Sequence, residues 1–206
     1  MDIPIQKPLV DVFRWRVEKS PDLIVHKFQQ RETTYKQFDL FANKVAQGLI
    51  KEGCKPNSRV AFLAKNSDLY FEFLYGTLKS NTVAVGINWR LAAPEVAYII
   101  NDSKSEMIFV GSEFYGLINA IKDEIPHVKK IISMSGAYNQ WEDFSTWRDF
   151  QLNEDPMMSV LDEDDVIQLY TSGTTGHPKG VQLTNKNFSA SSKMSQKTYY
   201  HFFDEG

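Results

Sequence analysis

The sequence predicts an α/β protein in which strands and helices alternate along the chain. Short apolar runs that suit buried strands are separated by segments whose apolar residues recur at helical spacing. No internal repeat or low-complexity tract interrupts this alternation. Because such a rhythm is typical of a sheet that is covered by helices, we expect one α/β sheet.

Periodicity and capping signals give the order of the elements. Thr34 and Gln37 form a capping-box pattern before an apolar stripe, and Gly53 stands where a glycine commonly ends a helix. Ser67 is a candidate helix cap, and Pro94 suits the first turn of another helix. The predicted elements are a helix around 9–17 that stops at 20–21, a strand at 23–28, a helix at 34–53, a strand at 59–64, a helix at 67–80, a strand at 82–87, a helix at 94–101, a strand at 107–110, a helix at 117–125, and strands at 130–133, 166–170 and 181–183.

Two stretches depart from this pattern. Residues 135–156 mix Gly, Asn, Asp and Pro with Trp141, Phe144, Trp147 and Phe150. This composition predicts an irregular surface segment whose aromatic rings pack against the rest of the domain. Four acidic residues at 162–165 precede the strand at 166–170. Because the spacing and the glycine of a calcium loop are absent, we interpret this run as solvated charge.

Composition argues against several classes of protein. Among 206 residues, 23 Lys and Arg oppose 26 Asp and Glu, so the formal net charge is −3 and we expect no nucleic-acid partner. The single cysteine, Cys54, excludes an intramolecular disulfide and a multi-cysteine metal site, and we expect an inert thiol. The sequence shows neither a leader pattern nor an apolar run of about 18 residues, so we expect a cytoplasmic protein without integral membrane association.

One loop carries the residue types that suit chemistry. The strand at 166–170 is followed by TSGTTGHPKG, residues 171–180, and then by the strand at 181–183. The glycines let backbone N–H groups approach a ligand closely, the hydroxyls add donors, and Lys179 adds a mobile positive charge. A Walker A loop needs Gly-Lys-Ser/Thr after a four-residue gap from its first glycine, whereas here Pro178 stands five positions after Gly173 and Gly180 follows Lys179. No G-x-G-x-x-G occurs either. The loop therefore suits a polyphosphate without matching either standard nucleotide fingerprint.

Residues 170–180 resemble the signature loop of the adenylate-forming superfamily, which includes acyl-CoA synthetases, luciferases and peptide-synthetase adenylation domains. A second block, Asn88-Trp89-Arg90-Leu91 followed by Glu95, Tyr98 and Ile99, is similar to an earlier family block. Further similarity lies in residues 34–49 and 60–79, so the resemblance covers nearly the whole chain. It implies that residues 1–206 are the incomplete N-terminal portion of the large AMP-binding domain, closer to fatty-acid and aryl-acid CoA ligases than to peptide synthetases.

The resemblance implies an ATP-dependent ligase that joins a carboxylic acid, most closely a fatty acid, to a thiol. ATP, Mg²⁺ and coenzyme A are the implied cofactors, and no metal-ligating residue is assigned. Asn88, Arg90 and Glu95 match positions that we interpret as structural. Lys179 is the catalytic candidate. The residues expected to bind the β- and γ-phosphates are Thr171, Ser172, Gly173, Thr174, Thr175, Gly176 and Lys179.

The chain also departs from the family pattern. Asn185 stands where many members have histidine, and family members are usually more than twice as long. The acidic motif that helps to hold magnesium, the ribose-binding aspartate, most of the acyl pocket and the C-terminal domain with its catalytic lysine are expected downstream of residue 206. We therefore expect residues 1–206 alone to be inactive or nearly so. Two alternatives to a ligase segment stay open at this point: a non-catalytic module that binds a nucleotide or a partner, and the product of a truncated gene, whose strands near Val166 and Val181 would leave an exposed edge.

Overall fold

The computed structural model describes residue 4 and residues 6–171 and 178–203, with side chains described as far as residue 195. The strands are β1 (Ile24–Phe28), β2 (Arg31–Thr34), β3 (Arg59–Leu63), β4 (Val83–Gly86), β5 (Met107–Val110), β6 (Lys130–Ser133), β7 (Glu142–Asp143), β8 (Asp165–Thr171) and β9 (Lys179–Thr184). The α-helices are α1 (Leu9–Lys19), α2 (Tyr35–Lys51), α3 (Asp68–Lys79), α4 (Ala93–Ser103), α5 (Tyr115–Ile121), α6 (Phe144–Asp149) and α7 (Asn185–Phe203).

The main sheet has seven strands in the order β7-β6-β5-β3-β4-β8-β9. All neighbouring pairs are parallel except β8 and β9, which are antiparallel. This confirms the predicted α/β class, and the predicted strands at 107–110 and 130–133 match β5 and β6. The short polar strand β2 was not predicted, and it forms a separate antiparallel hairpin with β1.

Helices cover both faces of the sheet and form two cores. On one face, Val10 of α1, Val45 of α2, Phe73 of α3 and Trp147 of α6 pack against β3, β5 and β8. On the other face, α4 and α5 bury their own apolar residues against alternate side chains of β3, β4 and β5. The alternation of inward-facing residues on both sides explains why these strands are apolar throughout. Of the helices in the described ranges, none is long and apolar enough to cross a bilayer.

The capping signals are confirmed at α2 but not at α3. The Thr34 Oγ1 accepts a hydrogen bond from the Gln37 N–H at 3.2 Å, and the Gln37 side chain accepts one from the Thr34 N–H at 2.9 Å. Gly53 follows the helix with φ +87°. Ser67 precedes α3 but its side chain makes no capping hydrogen bond. Instead, the Asp68 carboxylate accepts from the Leu69 N–H at 3.1 Å while it holds Arg31 of β2.

The expectation of an irregular excursion over residues 135–156 is wrong for part of that segment. It contains β7, which adds an edge strand to the sheet, and the short helix α6, whose N-cap Asp143 accepts from the Thr146 N–H at 3.0 Å. Phe144 and Trp147 lie in the core, whereas Phe150 is 81% exposed. With six residues, α6 has too few apolar positions to show a helical period in the sequence. Its burial against α2 therefore depends on tertiary packing.

Candidate nucleotide-binding site

The two ends of the predicted phosphate loop lie on adjacent strands. β8 runs parallel to β4 and ends at Thr171, and β9 returns antiparallel from Lys179, which pairs directly with Thr171. Both side chains are exposed. The other predicted phosphate ligands, Ser172, Gly173, Thr174, Thr175 and Gly176, lie outside the described residues, as does His177. The structure therefore brings together Thr171 and Lys179 at the carboxyl end of β8, which is the edge where ligands bind in open α/β sheets.

A polar network holds the end of β8. The Tyr170 hydroxyl donates a hydrogen bond to the Asp102 carboxylate at 2.6 Å and accepts one from the Gln168 amide at 2.9 Å. Asp102 lies near the end of α4. Burial and the adjacent Asp102 carboxylate raise the pKa of Tyr170, so the hydroxyl stays protonated and keeps donating.

The network continues to the start of β3. The Arg59 Nε donates to the Gln168 side-chain oxygen at 3.3 Å, and the same guanidinium pairs with Asp165 at 2.7 Å. We call these five residues, Arg59, Asp102, Asp165, Gln168 and Tyr170, the Tyr170 network. It ties three separate elements, β3, α4 and β8, to the residue that immediately precedes the loop.

Gly180 brings the other end of the loop against this network. A Cβ atom at Gly180 would lie 2.6 Å from the Gln168 amide nitrogen and 3.1 Å from the Tyr170 ring. Real Cβ atoms do not approach so closely, so a side chain here would displace one of the two residues. The glycine that follows Lys179 thus lets the Gln168 and Tyr170 side chains of β8 lie close to the backbone of β9.

The second family-like block forms a turn and a helix start after β4. The Asn88 side chain accepts from the Arg90 N–H at 3.0 Å, and the Glu95 carboxylate accepts from the Ala92 N–H at 2.9 Å at the start of α4. These contacts agree with structural roles for Asn88 and Glu95. The Arg90 guanidinium lies 4.1 Å from the centre of the Trp89 ring at the surface.

A crevice of about 490 Å³ opens at the carboxyl ends of β3, β5 and β6. Lys65 and Glu113 form an ion pair of 3.0 Å in its wall. Gly111, directly after β5, lets the chain there lie close to Ala64, directly after β3. A Cβ at Gly111 would lie 2.9 Å from the Ala64 Cβ. The sequence reasoning missed this crevice because its walls come from several separate segments, and Gly111 after an apolar strand was the one available signal.

Acidic and sulfur ligands do not converge on a metal site within the described ranges. The interpretation of residues 162–165 as solvated charge fits Glu163, which is 75% exposed, but is wrong for Asp164 and Asp165. Asp164 accepts from the Leu161 N–H at 2.8 Å and from Asn81 at 3.1 Å, and Asp165 pairs with Arg59. The Cys54 thiol is buried, and burial raises its pKa to about 11, in agreement with an inert cysteine.

The AMP-binding enzyme family matches residues 13–205, so the chain belongs to that family. The match includes both the loop at 171–180 and the earlier block after β4.

Among curated proteins, the chain is 36% identical to the fatty acid–[acyl-carrier-protein] ligase ScoC of Streptomyces coeruleorubidus over 188 residues, which are 91% of this chain and 35% of that protein. It is 34% identical to the long-chain-fatty-acid–CoA ligase FadD13 of Mycobacterium tuberculosis over 178 residues, 85% of this chain and again 35% of the relative. The chain therefore spans about a third of the length of these relatives.

Solved structures agree with this assignment. The anthranilate CoA ligase AuaEII, crystallised with anthranoyl-AMP, superposes with a TM-score of 0.84 at 28% identity over 90% of this chain and 36% of that one. The N-terminal domain of FACL13 from M. tuberculosis superposes with a TM-score of 0.79 at 31% identity over 87% of this chain and 44% of that one. The likeness shows that this chain shares its fold with part of AuaEII and with part of the N-terminal domain of FACL13.

Proposed function

We propose that this chain is the N-terminal segment, residues 1–206, of an ATP-dependent acid–thiol ligase that acts on a fatty acid. In the first step, a carboxylate oxygen attacks the α-phosphate of ATP, the bond to the β-phosphate breaks, and an acyl-adenylate and pyrophosphate form. In the second step, the thiol of coenzyme A attacks the acyl carbon and AMP leaves. The single observation that supports this proposal most strongly is the loop at 171–180 between β8 and β9 in a chain of the AMP-binding family.

Within this proposal, the loop opposes the charge that develops on the departing pyrophosphate. Lys179 supplies a positive charge and the hydroxyls of Thr171, Ser172, Thr174 and Thr175 supply donors. Gly173 and Gly176 allow backbone N–H groups to reach the β- and γ-phosphates. Because Thr171 and Lys179 pair across β8 and β9, a phosphate held by one lies within reach of the other.

The names of the relatives guide the choice of substrate and acceptor. ScoC and FadD13 are named for fatty acids, which supports a fatty acid here, and they differ in the acceptor, a carrier protein in one and coenzyme A in the other. Mg²⁺ would enter with ATP and neutralise its phosphates; the described residues offer it no group of three acidic ligands, so we assign it none. ATP and coenzyme A are available in the cytoplasm, the compartment that we infer.

Pyrophosphate exchange tests the first step. The native gene product, with its intact mass measured first, is incubated with ATP, labelled pyrophosphate and fatty acids of increasing chain length, with benzoate and an amino acid as comparison substrates. We expect label to enter ATP only when a fatty acid is present. Exchange with the amino acid and none with any fatty acid would contradict the proposed substrate class, and absence of exchange with every acid would contradict the ligase.

Lys179→Ala is expected to lower the exchange rate by about 100-fold, because one charged donor to a developing negative charge is removed from the loop. Lys186→Ala is the matched control: Lys186 is also an exposed lysine near β9, and its Nζ lies 3.8 Å from Glu163. We expect its exchange rate to stay within about twofold of the wild type, as for a surface ion pair. Equal pyrophosphate-exchange rates in Lys179→Ala and the wild type would contradict the proposed role of Lys179.

A partner-binding module is the second proposal, and the exposed edge of the sheet favours it. β9 ends the sheet order, and the paired residues Leu169 and Val181 are 39% and 43% exposed. If this module functions without catalysis, calorimetry with MgATP should show no heat at millimolar concentration, and the native protein should sediment together with a second polypeptide.

A further inference from the structure

Tyr170 and Gly180 stand beside the two strand ends that carry Thr171 and Lys179. Tyr170 precedes Thr171, and Gly180 follows Lys179, so each residue adjoins one described end of the loop. The Gln168 amide donates to the Tyr170 hydroxyl, and it would lie 2.6 Å from a Cβ at Gly180. The Gln168 side chain therefore lies beside both ends of the loop.

Asp102 is the member of the Tyr170 network that lies on a helix, α4. Its carboxylate accepts the Tyr170 hydroxyl hydrogen at 2.6 Å, although 68 positions separate the two residues in sequence. α4 is itself fixed, because Val96, Ile99 and Ile100 are buried in the core on that face of the sheet. A rigid helix therefore presents an ionised acceptor to the last residue before the loop, and a hydrogen bond to a charged group is stronger than one between neutral groups.

We propose that Asp102, through the hydroxyl of Tyr170, is a positioning residue that holds Thr171, the described end of β8 where the phosphate loop begins, in place for contact with a nucleoside triphosphate. This proposal rests on the proposed function. Loss of the hydrogen bond leaves the aromatic ring of Tyr170 free to shift on the face of β8, and the strand end that carries Thr171 shifts with it. Donors that are not held in place lose the advantage of preorganisation, so ATP binding suffers while the carboxylate site is unaffected.

A purely structural role of the same bond predicts a different result. If the bond serves only to stabilise the sheet, its loss lowers the melting temperature and the active fraction of the protein, and the KM for ATP stays unchanged. The matched control is Tyr138→Phe, which removes a tyrosine hydroxyl that accepts a hydrogen bond of 3.1 Å from Asn119, close to the far edge of the sheet.

The experiment compares Tyr170→Phe, Asp102→Ala and Asp102→Asn with Tyr138→Phe in the native gene product, by pyrophosphate exchange at varied ATP and varied fatty acid. We expect Tyr170→Phe and Asp102→Ala to raise the KM for ATP about 10-fold and to leave the KM for the acid within about twofold. Asp102→Asn, whose amide oxygen still accepts a hydrogen bond, should recover most of the affinity. An unchanged KM for ATP in Tyr170→Phe, or an equal rise in Tyr138→Phe, would overturn the proposal.

A second readout keeps this result separate from the fate of the ligase assignment. If the wild type shows no pyrophosphate exchange with any acid, the proposed function fails. The positioning role is then decided by the rate of amide hydrogen exchange at residues 171 and 179–181. We expect these amides to exchange about 10-fold faster in Tyr170→Phe than in Tyr138→Phe. Equal protection in the two variants would overturn the positioning role as well.

Discussion

Replacing Asp155 by alanine is expected to lower the free energy of unfolding by about 4 kcal/mol, because it leaves a buried cation with half of its partners. Asp155 accepts two hydrogen bonds from Arg14 of α1, at 2.8 and 3.0 Å, and one from Lys79 at the end of α3. The Lys79 side chain is only 1% exposed, and its remaining partner is Asp39 at 2.8 Å. Asp155 thus joins the segment between α6 and β8 to two helices, α1 and α3. Urea unfolding at pH 7 measures the loss of free energy.

The ionisation of Asp155 is expected to make the free energy of unfolding depend on pH. Burial alone would raise the pKa of Asp155, but hydrogen bonds from Arg14 and Lys79 outweigh it and hold this pKa well below its ordinary value of 3.8. An acid whose pKa is depressed on folding stabilises the native state above its unfolded pKa, and this contribution is lost as the pH falls below about 4. In Asp155→Asn, the free energy of unfolding should therefore fall less steeply between about pH 5 and pH 2 than in the wild type.

Asp149→Ala is the matched control for Asp155→Ala. Asp149 also pairs with a lysine and an arginine, Lys44 and Arg148, but its side chain is 51% exposed. Solvent screens such a pair, so we expect a loss of at most about 1 kcal/mol. If Asp149→Ala and Asp155→Ala lowered the free energy of unfolding equally, burial of the Lys79 cluster would not be the cause.

Gly76→Ala is expected to destabilise the protein by about 3 kcal/mol. Gly76 lies on α3 where it crosses α2, and a Cβ there would come within 2.3 Å of the Val45 Cγ1 and 2.5 Å of the Val45 Cβ. Val45 is fully buried, so it cannot swing into solvent, and the two helices must separate. Thermal unfolding, monitored by circular dichroism, measures the expected fall in melting temperature.

Gly116→Ala provides the control for helix propensity. Gly116 lies on α5, and a Cβ there would meet nothing within 4 Å. Alanine favours the helix over glycine, so we expect a gain of about 0.5–1 kcal/mol. The prediction for Gly76 fails if both substitutions stabilise the protein.

Much of the fold could be predicted because its signals are local. The apolar run of β5 and the capping box of Thr34 are complete within a few adjacent residues, and both appear in the structure. β2 and α6 were missed because their short sequences carry no period. α6 is buried by its partner, since a Cβ at Gly48 of α2 would lie 2.4 Å from the Trp147 ring.

At the candidate site, too, local features could be predicted from the sequence and long-range contacts could not. The loop at 171–180 is contiguous, so residue types and spacing predicted its position between two strands and the family to which the chain belongs. The support of that loop could not be predicted. Asp102, Gln168 and Arg59 have no shared motif, and each could have served as an ordinary surface residue on its own element.

The sequence by itself determined the α/β class, the order of most elements and the loop that suits a polyphosphate, because these depend on periodicity and on consecutive residues. Tertiary structure alone decided which distant residues meet: Asp102 with Tyr170, Arg14 and Lys79 with Asp155, and Gly180 with Gln168. The physical reason is that hydrogen bonds, ion pairs and close packing act over a few ångströms in space. Two residues come within that range only after the sheet has set its strand order and the helices have settled on its faces.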